Sequence, residues 1–180
     1  RGAEELVRQT RLNVIAGEPD ERRVAAWREQ FTDSSLPGVR LAVHAGDPLT
    51  FRLPPYLASL MVIENPAAVG FRQTAAWVEK LYQSLRPYGG VACLQLDDAG
   101  QAALSDAVSR AQLAGAAVQR AGRYVLLRRN GGLPGAGNWT HQNGDAGNTL
   151  VSDDQLVTLP LGLLWFGGPS NAKILPRHGH

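Results

Sequence analysis

Apolar and polar positions follow two different rhythms along the first 130 residues of the chain. Short apolar runs that end in turn-forming residues, as at 12–17 and 60–63, are typical of buried strands. Between such runs, apolar residues recur every three or four positions, as Val24, Trp27 and Phe31 do, which predicts helices with one buried face. Strands that alternate with helices in this way predict βαβ units and a mainly parallel sheet.

The predicted elements succeed one another in a regular order. Strands are expected at residues 12–17, 39–43, 60–63 and 91–96, and helices at 3–9, 21–31, 74–85 and 99–113. Two further short strands, at 117–120 and 124–128, are joined by the turn at 121–123 and add an antiparallel edge to the sheet. We therefore expect an α/β, Rossmann-like fold with a mainly parallel sheet and an antiparallel carboxyl-terminal edge.

The character of the sequence changes near residue 130. Residues 131–137 are rich in glycine, which is typical of a linker. Residues 138–180 have no helical period and many Gly, Asn and Pro residues, and 159–166 is the segment there that resembles a strand. We expect a Rossmann-like domain at 1–130, a linker at 131–137 and an incomplete all-β segment at 138–180.

Composition and charge narrow the classes of function. Hydrophobic residues make up 44% and charged residues 19% of the chain, as in globular proteins. The formal net charge is only +2 and the basic residues are scattered, so we expect no nucleic-acid partner. No apolar run approaches the roughly 20 residues that cross a bilayer, and we expect a cytoplasmic protein without a membrane span. Because the chain begins at Arg1 inside a helical pattern, we interpret it as a fragment.

Cysteine and histidine offer little chemistry. Cys93 is the single cysteine, so neither a disulfide nor a cysteine metal site can form, and its apolar neighbours predict an inert core thiol. His44 ends a predicted strand and is expected to be structural. The spacing of His178 and His180, with His141 elsewhere in the tail, fits no strong metal site. We expect no metal, and no catalytic base can be assigned.

Three acidic residues follow three successive predicted strands, and they are the best candidates for a binding site. Glu18, Asp47 and Glu64 stand where the carboxyl ends of parallel strands should meet, which is where open α/β sheets bind ligands. Glu18 can accept both hydroxyl hydrogens of a ribose, and Asp47 can accept from an amine such as that of adenine. Each residue alone is more often a helix cap or turn former, so the argument depends on their recurrence.

The candidate cofactor-binding set includes the neighbours of these acids. The Glu64–Asn65 pair closes the central strand, where a reacting group would lie, and Gly17 keeps the edge beside Glu18 open. The full set is Gly17, Glu18, Pro19, Gly46, Asp47, Pro48, Glu64 and Asn65.

In their order along the chain these segments resemble the class I S-adenosylmethionine-dependent methyltransferases. Residues 12–20 are similar to the family's second strand with its ribose-binding acid, and 44–48 to its adenine-binding segment. Residues 60–65 take the place of the fourth strand, and 82–91 resemble its Leu-Arg-Pro-Gly-Gly helix-to-strand segment. The resemblance covers residues 1–129 and implies S-adenosylmethionine as cofactor, with transfer of its methyl group to an unknown acceptor. The family's first strand and glycine-rich loop are missing from the sequence.

The tail carries a second resemblance. Residues 138–149, a Trp followed by a polar stretch and Asn-Thr, are similar to the opening segment of quinoprotein-like β-propellers, and 161–166 to the strand that follows. The resemblance implies the first strands of a propeller, which would hold pyrroloquinoline quinone or bind another ligand or a protein.

Two other functions fit the same residues. A degenerate, non-catalytic Rossmann domain could serve as a scaffold beside the propeller. An NAD-dependent oxidoreductase is the second alternative, since an acid after the second strand also binds the ribose of NAD.

Overall fold

A computed structural model of the chain describes residues 2–32, 40–46, 53–67 and 74–160. The chain divides into two units, Arg1–Gly132 and Leu133–His180, called here the α/β unit and the tail unit. The α/β unit contains all the described helices and strands. They are α1 (Gly2–Gln9), β1 (Val14–Glu18), α2 (Glu21–Thr32), β2 (Leu41–Ala45), β3 (Leu60–Ile63), α3 (Ala75–Ser84), β4 (Gly90–Leu94), α4 (Asp98–Arg110), β5 (Ala116–Ala121) and β6 (Tyr124–Arg129).

The strands form two sheets in the described residues. One sheet has the order β1-β2 and is parallel, with Val14 opposite Leu41 and Glu18 opposite Ala45. The other has the order β3-β4-β6-β5, in which β3 and β4 are parallel while β6 is antiparallel to both β4 and β5. The predicted α/β class is confirmed. The carboxyl-terminal hairpin lies at one side of the larger sheet as predicted, but its antiparallel strand, β6, is inserted between β4 and β5, so the edge strand β5 runs in the same direction as β3 and β4.

Helix starts follow from short polar side chains that accept otherwise unpaired backbone N–H groups. The Thr74 hydroxyl accepts a hydrogen bond from the N–H of Trp77 at 3.3 Å, at the start of α3. At the start of α2, the Asp20 carboxylate accepts from the N–H of Arg22 at 2.9 Å. Each such cap contributes about 1 kcal/mol to helix stability.

Two separate apolar clusters hold the α/β unit together. Full burial of one aliphatic or aromatic side chain stabilises a fold by about 1.5–3 kcal/mol. The core of the larger sheet packs α3 and α4 against β3, β4 and β6, and consists of Ile63, Trp77, Val78, Leu81, Tyr82, Leu85, Ala92, Leu94, Leu104, Ala107, Val125 and Leu127. The core of the smaller sheet packs α1 and α2 against β1 and β2, and consists of Val7, Val24, Phe31, Leu41 and Val43.

Strand β1 is paired on one side only among the described strands. The N–H of Val14 donates to the C=O of Arg40 at 2.8 Å, so Val14 directs its backbone groups toward β2. Backbone groups of successive residues in a strand point to opposite sides, so those of Ile15 and Gly17 point away from β2. The side chain of Ile15 remains 47% exposed.

Strand β3 is likewise paired on one side only within the described part of the chain. The N–H of Val91 donates to the C=O of Ser59 at 3.1 Å, so the backbone groups of Leu60 and Val62 point away from β4. These two apolar side chains are 47% and 46% exposed, although strands of parallel sheets are normally covered on both faces.

The described part of the tail unit, 133–160, consists of turns and contains no strand. Carboxylates in this segment accept hydrogen bonds from nearby backbone N–H groups, which are then not available to pair in a sheet. Asp154, for example, accepts from the N–H groups of Leu156 and Val157 at 2.8 Å each. Apolar side chains such as Trp139 and Leu159 stay largely exposed. The start of a propeller predicted at 138–180 is therefore not seen at 138–160, and the strand predicted at 161–166 lies outside the described residues.

Among the helices of the described segments, none combines the length and the apolar character that crossing a bilayer requires.

Candidate functional site

Strands β1 and β2 bring two of the candidate segments to one sheet edge. The N–H of Gly46 donates to the C=O of Glu18 at 3.0 Å, just beyond the last paired residues of the two strands. Gly17 lies opposite His44 in the same parallel register. Gly17, Glu18 and Gly46 therefore lie together at the carboxyl ends of the strands. Asp47 and Pro48, which complete the predicted adenine segment, lie outside the described residues.

The Glu18 carboxylate is held by the start of its own helix. One oxygen accepts from the N–H of Asp20 at 3.2 Å, and the other lies 3.5 Å from the guanidinium of Arg23. The side chain of Glu18 is only 15% exposed, whereas that of Arg23 is 67% exposed. A carboxylate has about four lone-pair sites, so the two contacts leave acceptor capacity for a ligand. Glu18 thus has the turn-forming role that the sequence analysis considered. The same contacts also hold its carboxylate in place at the end of β1.

Gly17 leaves open space beside this carboxylate. A Cβ built on Gly17 would lie 3.6 Å from the C=O of Gly46, an ordinary van der Waals distance. The fold therefore does not require glycine at this position, and the exposed backbone of Gly17 is open to close approach by a ligand. Pro19, the next residue but one, is exposed at the same turn.

Glu64 and Asn65 are exposed at the carboxyl end of β3, as the strand prediction implies. The Glu64 carboxylate lies beside the start of α1, because a Cβ built on Gly2 would be 3.6 Å from its Oε1. No hydrogen bond or ion pair joins Glu64 to Glu18, so the structure does not bring these two predicted acids into contact.

Gly2 lies beside a candidate site residue, a proximity that sequence reasoning missed. It is 62 positions from Glu64 in the sequence and belongs to no motif, so only the folded chain places it beside the carboxylate. The approach also brings the amino-terminal end of α1, with its partial positive charge, to this end of β3.

Among the described residues of the α/β unit, Cys93 and His44 are the other reactive side chains considered, and neither is assigned a catalytic role. Cys93 lies within β4, between its neighbours β3 and β6, and burial raises the pKa of its thiol while nearby Arg128 opposes that rise. His44 is half-buried within β2. Across the described residues there is no group of three or more His, Cys, Asp or Glu side chains arranged to hold a metal ion.

The tail unit carries an open cavity of about 410 Å³, lined in part by Trp139, Asp145 and Asp153. The Asp145 carboxylate accepts from the hydroxyl of Thr149 at 2.9 Å and from its N–H at 3.2 Å, and these bonds lower the pKa of Asp145. They stabilise the loop itself, and we assign the cavity no chemistry.

No protein-family model and no curated protein matches the chain. Several solved structures, however, are similar to it. One is a protein from Methanococcus maripaludis assigned to the S-adenosyl-L-methionine-dependent methyltransferases, with a TM-score of 0.58, 10% identity and coverage of 71% of each chain. Another is the [4+2]-cyclase SpnF, with a TM-score of 0.52 and 11% identity, covering 67% of this chain and 49% of that one.

Identities of 10–11% carry information on the fold and not on the reaction. The strand orders β1-β2 and β3-β4-β6-β5, together with these similarities, show that the chain has the mixed α/β fold of the S-adenosylmethionine-dependent methyltransferases.

Proposed function

We propose that the α/β unit binds the nucleoside of S-adenosylmethionine at the carboxyl ends of its strands and transfers the methyl group to an unknown acceptor. The observation that carries the proposal is the convergence of Gly17, Glu18 and Gly46 on one open edge. Ligands of open α/β sheets bind at this edge.

Each candidate residue has a physical role in the proposal. The remaining lone pairs of Glu18 accept from the ribose hydroxyls, and Gly17 lets the sugar approach the backbone. Asp47 accepts from the adenine amine. Pro19, Gly46 and Pro48 shape the turns around the nucleoside, and Glu64 with Asn65 borders the reacting methyl group.

The absence of an assignable base in the described residues is compatible with this reaction. Methyl transfer depends mainly on holding donor and acceptor in line at close range, which supplies a large share of the rate enhancement. The chain's own residues would position the donor.

Calorimetric titration of the chain with S-adenosylhomocysteine and with NADH tests the proposal. We expect the homocysteine product to bind and Glu18→Gln to weaken it about tenfold, the size of one charge-assisted hydrogen bond lost. Glu29→Gln, a matched change at an exposed position of α2, should leave binding unchanged.

The same titration decides between the alternatives. Binding of NADH alone would favour the oxidoreductase, and binding of neither ligand would favour the non-catalytic scaffold. The scaffold has some support in the geometry, because Asp20 and Arg23 already occupy part of the Glu18 carboxylate. The similarity to a [4+2]-cyclase also shows that this fold is found with other activities.

We also propose that one further parallel strand belongs between β1 and β3, as the first strand of the domain. Among the described strands, β1 and β3 each lack a partner on one side and carry half-exposed apolar side chains, which a paired strand would cover. Gly2, the first residue of α1, lies beside Glu64 at the carboxyl end of β3. A strand that ran parallel to β3 would end there and could continue directly into α1.

Amide hydrogen exchange tests this organisation. In the chain as given, the amides of Ile15, Gly17, Leu60 and Val62 should exchange rapidly. An amino-terminal extension by a designed six-residue strand and a glycine turn should slow the exchange of all four amides. Slow exchange of the same amides without the extension would contradict the proposal, since β1 and β3 would then already be paired.

For residues 138–180 the start of a quinoprotein-like propeller remains a proposal. Fluorescence quenching of the four tryptophans by pyrroloquinoline quinone is the direct test. Quenching that saturates and is lost in Trp139→Phe would support it, and an unchanged spectrum would count against a quinone site.

A further inference from the structure

We propose that Glu64 recognises the positive charge of the cofactor, and so makes the site prefer S-adenosylmethionine over its demethylated product. The inference rests on the proposed nucleoside site and adds a specificity-determining residue to it. The two ligands differ at one place: the sulfur is a cationic sulfonium in the donor and a neutral thioether in the product.

The two described acids of the site differ in their charge balance. Arg23, 3.5 Å away, offsets the charge of Glu18. A carboxylate whose charge is offset suits a ribose, because the ribose is neutral and requires only hydrogen-bond acceptors. Glu64 forms no ion pair with any described residue and is exposed at the end of β3. Of the two described acids, Glu64 is therefore the one whose charge no described basic side chain offsets.

The surroundings of Glu64 fix it in place without neutralising it. Its neighbours Ile63 and Pro66 are buried, so the turn that carries the carboxylate is anchored in the fold. Among the described residues, the neighbour of the carboxylate is Gly2 at the start of α1, which contributes the partial positive charge of a helix terminus, about half an elementary charge. This partial charge is smaller than the full charge of the carboxylate, so of these two described groups the carboxylate dominates and attracts a sulfonium.

The reaction itself would switch this attraction off. The acceptor's lone pair forms a bond to the methyl carbon, and the sulfur–methyl bond breaks with its electron pair remaining on sulfur. The sulfur thereby becomes neutral and the product loses its attraction to Glu64. This promotes exchange of product for fresh donor.

Calorimetry with both ligands on the whole chain tests the inference. Glu64→Gln keeps the size of the side chain and removes its charge. We expect it to weaken binding of S-adenosylmethionine about fivefold, as one unit charge at an exposed site would, and binding of S-adenosylhomocysteine less than twofold. Glu64→Asp should keep the preference for the donor, and Glu29→Gln, on α2, should change neither affinity.

The outcomes separate this inference from the proposed function. If wild-type protein binds neither ligand, both the nucleoside site and the role of Glu64 are overturned. If it binds S-adenosylhomocysteine but Glu64→Gln weakens both ligands equally, or neither, the nucleoside site stands and the charge-recognition role is overturned. A circular dichroism melt of each variant shows whether a loss of affinity is a loss of folded protein.

Discussion

The buried guanidinium of Arg129 shows how much a single residue can stabilise this fold. It lies between the rings of Tyr56 and Tyr82, 5.0 and 4.7 Å from their centroids. It also donates to the C=O groups of Tyr82 and Leu85, at 3.1 Å each, at the end of α3. Among the described residues no carboxylate pairs with it, so carbonyl oxygens and aromatic faces replace the water that it loses.

Arg129→Met tests the energy of this arrangement. The change keeps an apolar stem but removes two hydrogen bonds and both cation–π contacts, so we expect the free energy of unfolding to fall by about 2–3 kcal/mol. Urea unfolding measures it. Arg123→Met, at an exposed arginine that contacts Tyr124, should cost less than about 0.5 kcal/mol. Equal losses for the two variants would mean that burial adds nothing to the role of Arg129.

The Cys93 thiol provides a pH-dependent prediction. Burial raises the pKa of Cys93 in the folded chain, so its reactive thiolate should appear at a higher pH than that of an exposed thiol. Alkylation by iodoacetamide at pH 8 should therefore be slower in folded than in urea-unfolded protein. Arg128→Ala removes the charge that opposes the rise, and it should slow the reaction further. Faster alkylation of the folded chain would contradict an inert thiol.

At the residue scale, sequence could name the site candidates but not their contacts. The strand-end positions of Glu18 and Glu64 follow from local patterns. The contact of the Glu18 carboxylate with Arg23 depends on side-chain rotamers, and that of Glu64 with Gly2 depends on a long-range approach of the chain. Neither leaves a local signal in the sequence.

At the scale of elements, caps and buried faces made the α/β unit predictable. The strand predicted at 60–63 has the bounds of β3, because an apolar run followed by Glu-Asn-Pro leaves little freedom. Ends elsewhere shift by at most three residues, as at α4, predicted at 99–113 and observed at Asp98–Arg110. In the tail, no strand is seen at 138–160, because Asp and Gly residues there form turns.

The start of α4 is the element whose capping is easiest to test. The Asp97 carboxylate accepts from the N–H of Gly100 at 2.8 Å. Asp97→Ala leaves that donor unpaired and should lower the free energy of unfolding by about 1 kcal/mol, measured by urea titration. Asp106→Ala, at an exposed position within the same helix, removes an acid without removing a cap. If both variants lose the same stability, the effect belongs to charge and not to capping.

At the scale of the whole molecule, the two apolar cores of the α/β unit predict two unfolding transitions. Within the described residues the cores share no member, and the strands that border them, β1 and β3, each have a free edge. Cooperativity requires continuous packing, so separate cores should unfold in separate steps. The core of the smaller sheet has fewer buried side chains and should unfold at lower urea concentration.

Each core contains its own fluorescent reporter. Trp77 is buried in the core of the larger sheet, and Trp27 packs against that of the smaller sheet. Of the chain's four tryptophans, one can be kept while the other three are replaced by Phe. The variant that keeps Trp27 should then report an earlier midpoint than the one that keeps Trp77. Val24→Ala should move only the earlier midpoint, because its cavity opens in the smaller core. Coincident midpoints, or a shift of both by Val24→Ala, would show that the two sheets already behave as one and that no strand is needed between them.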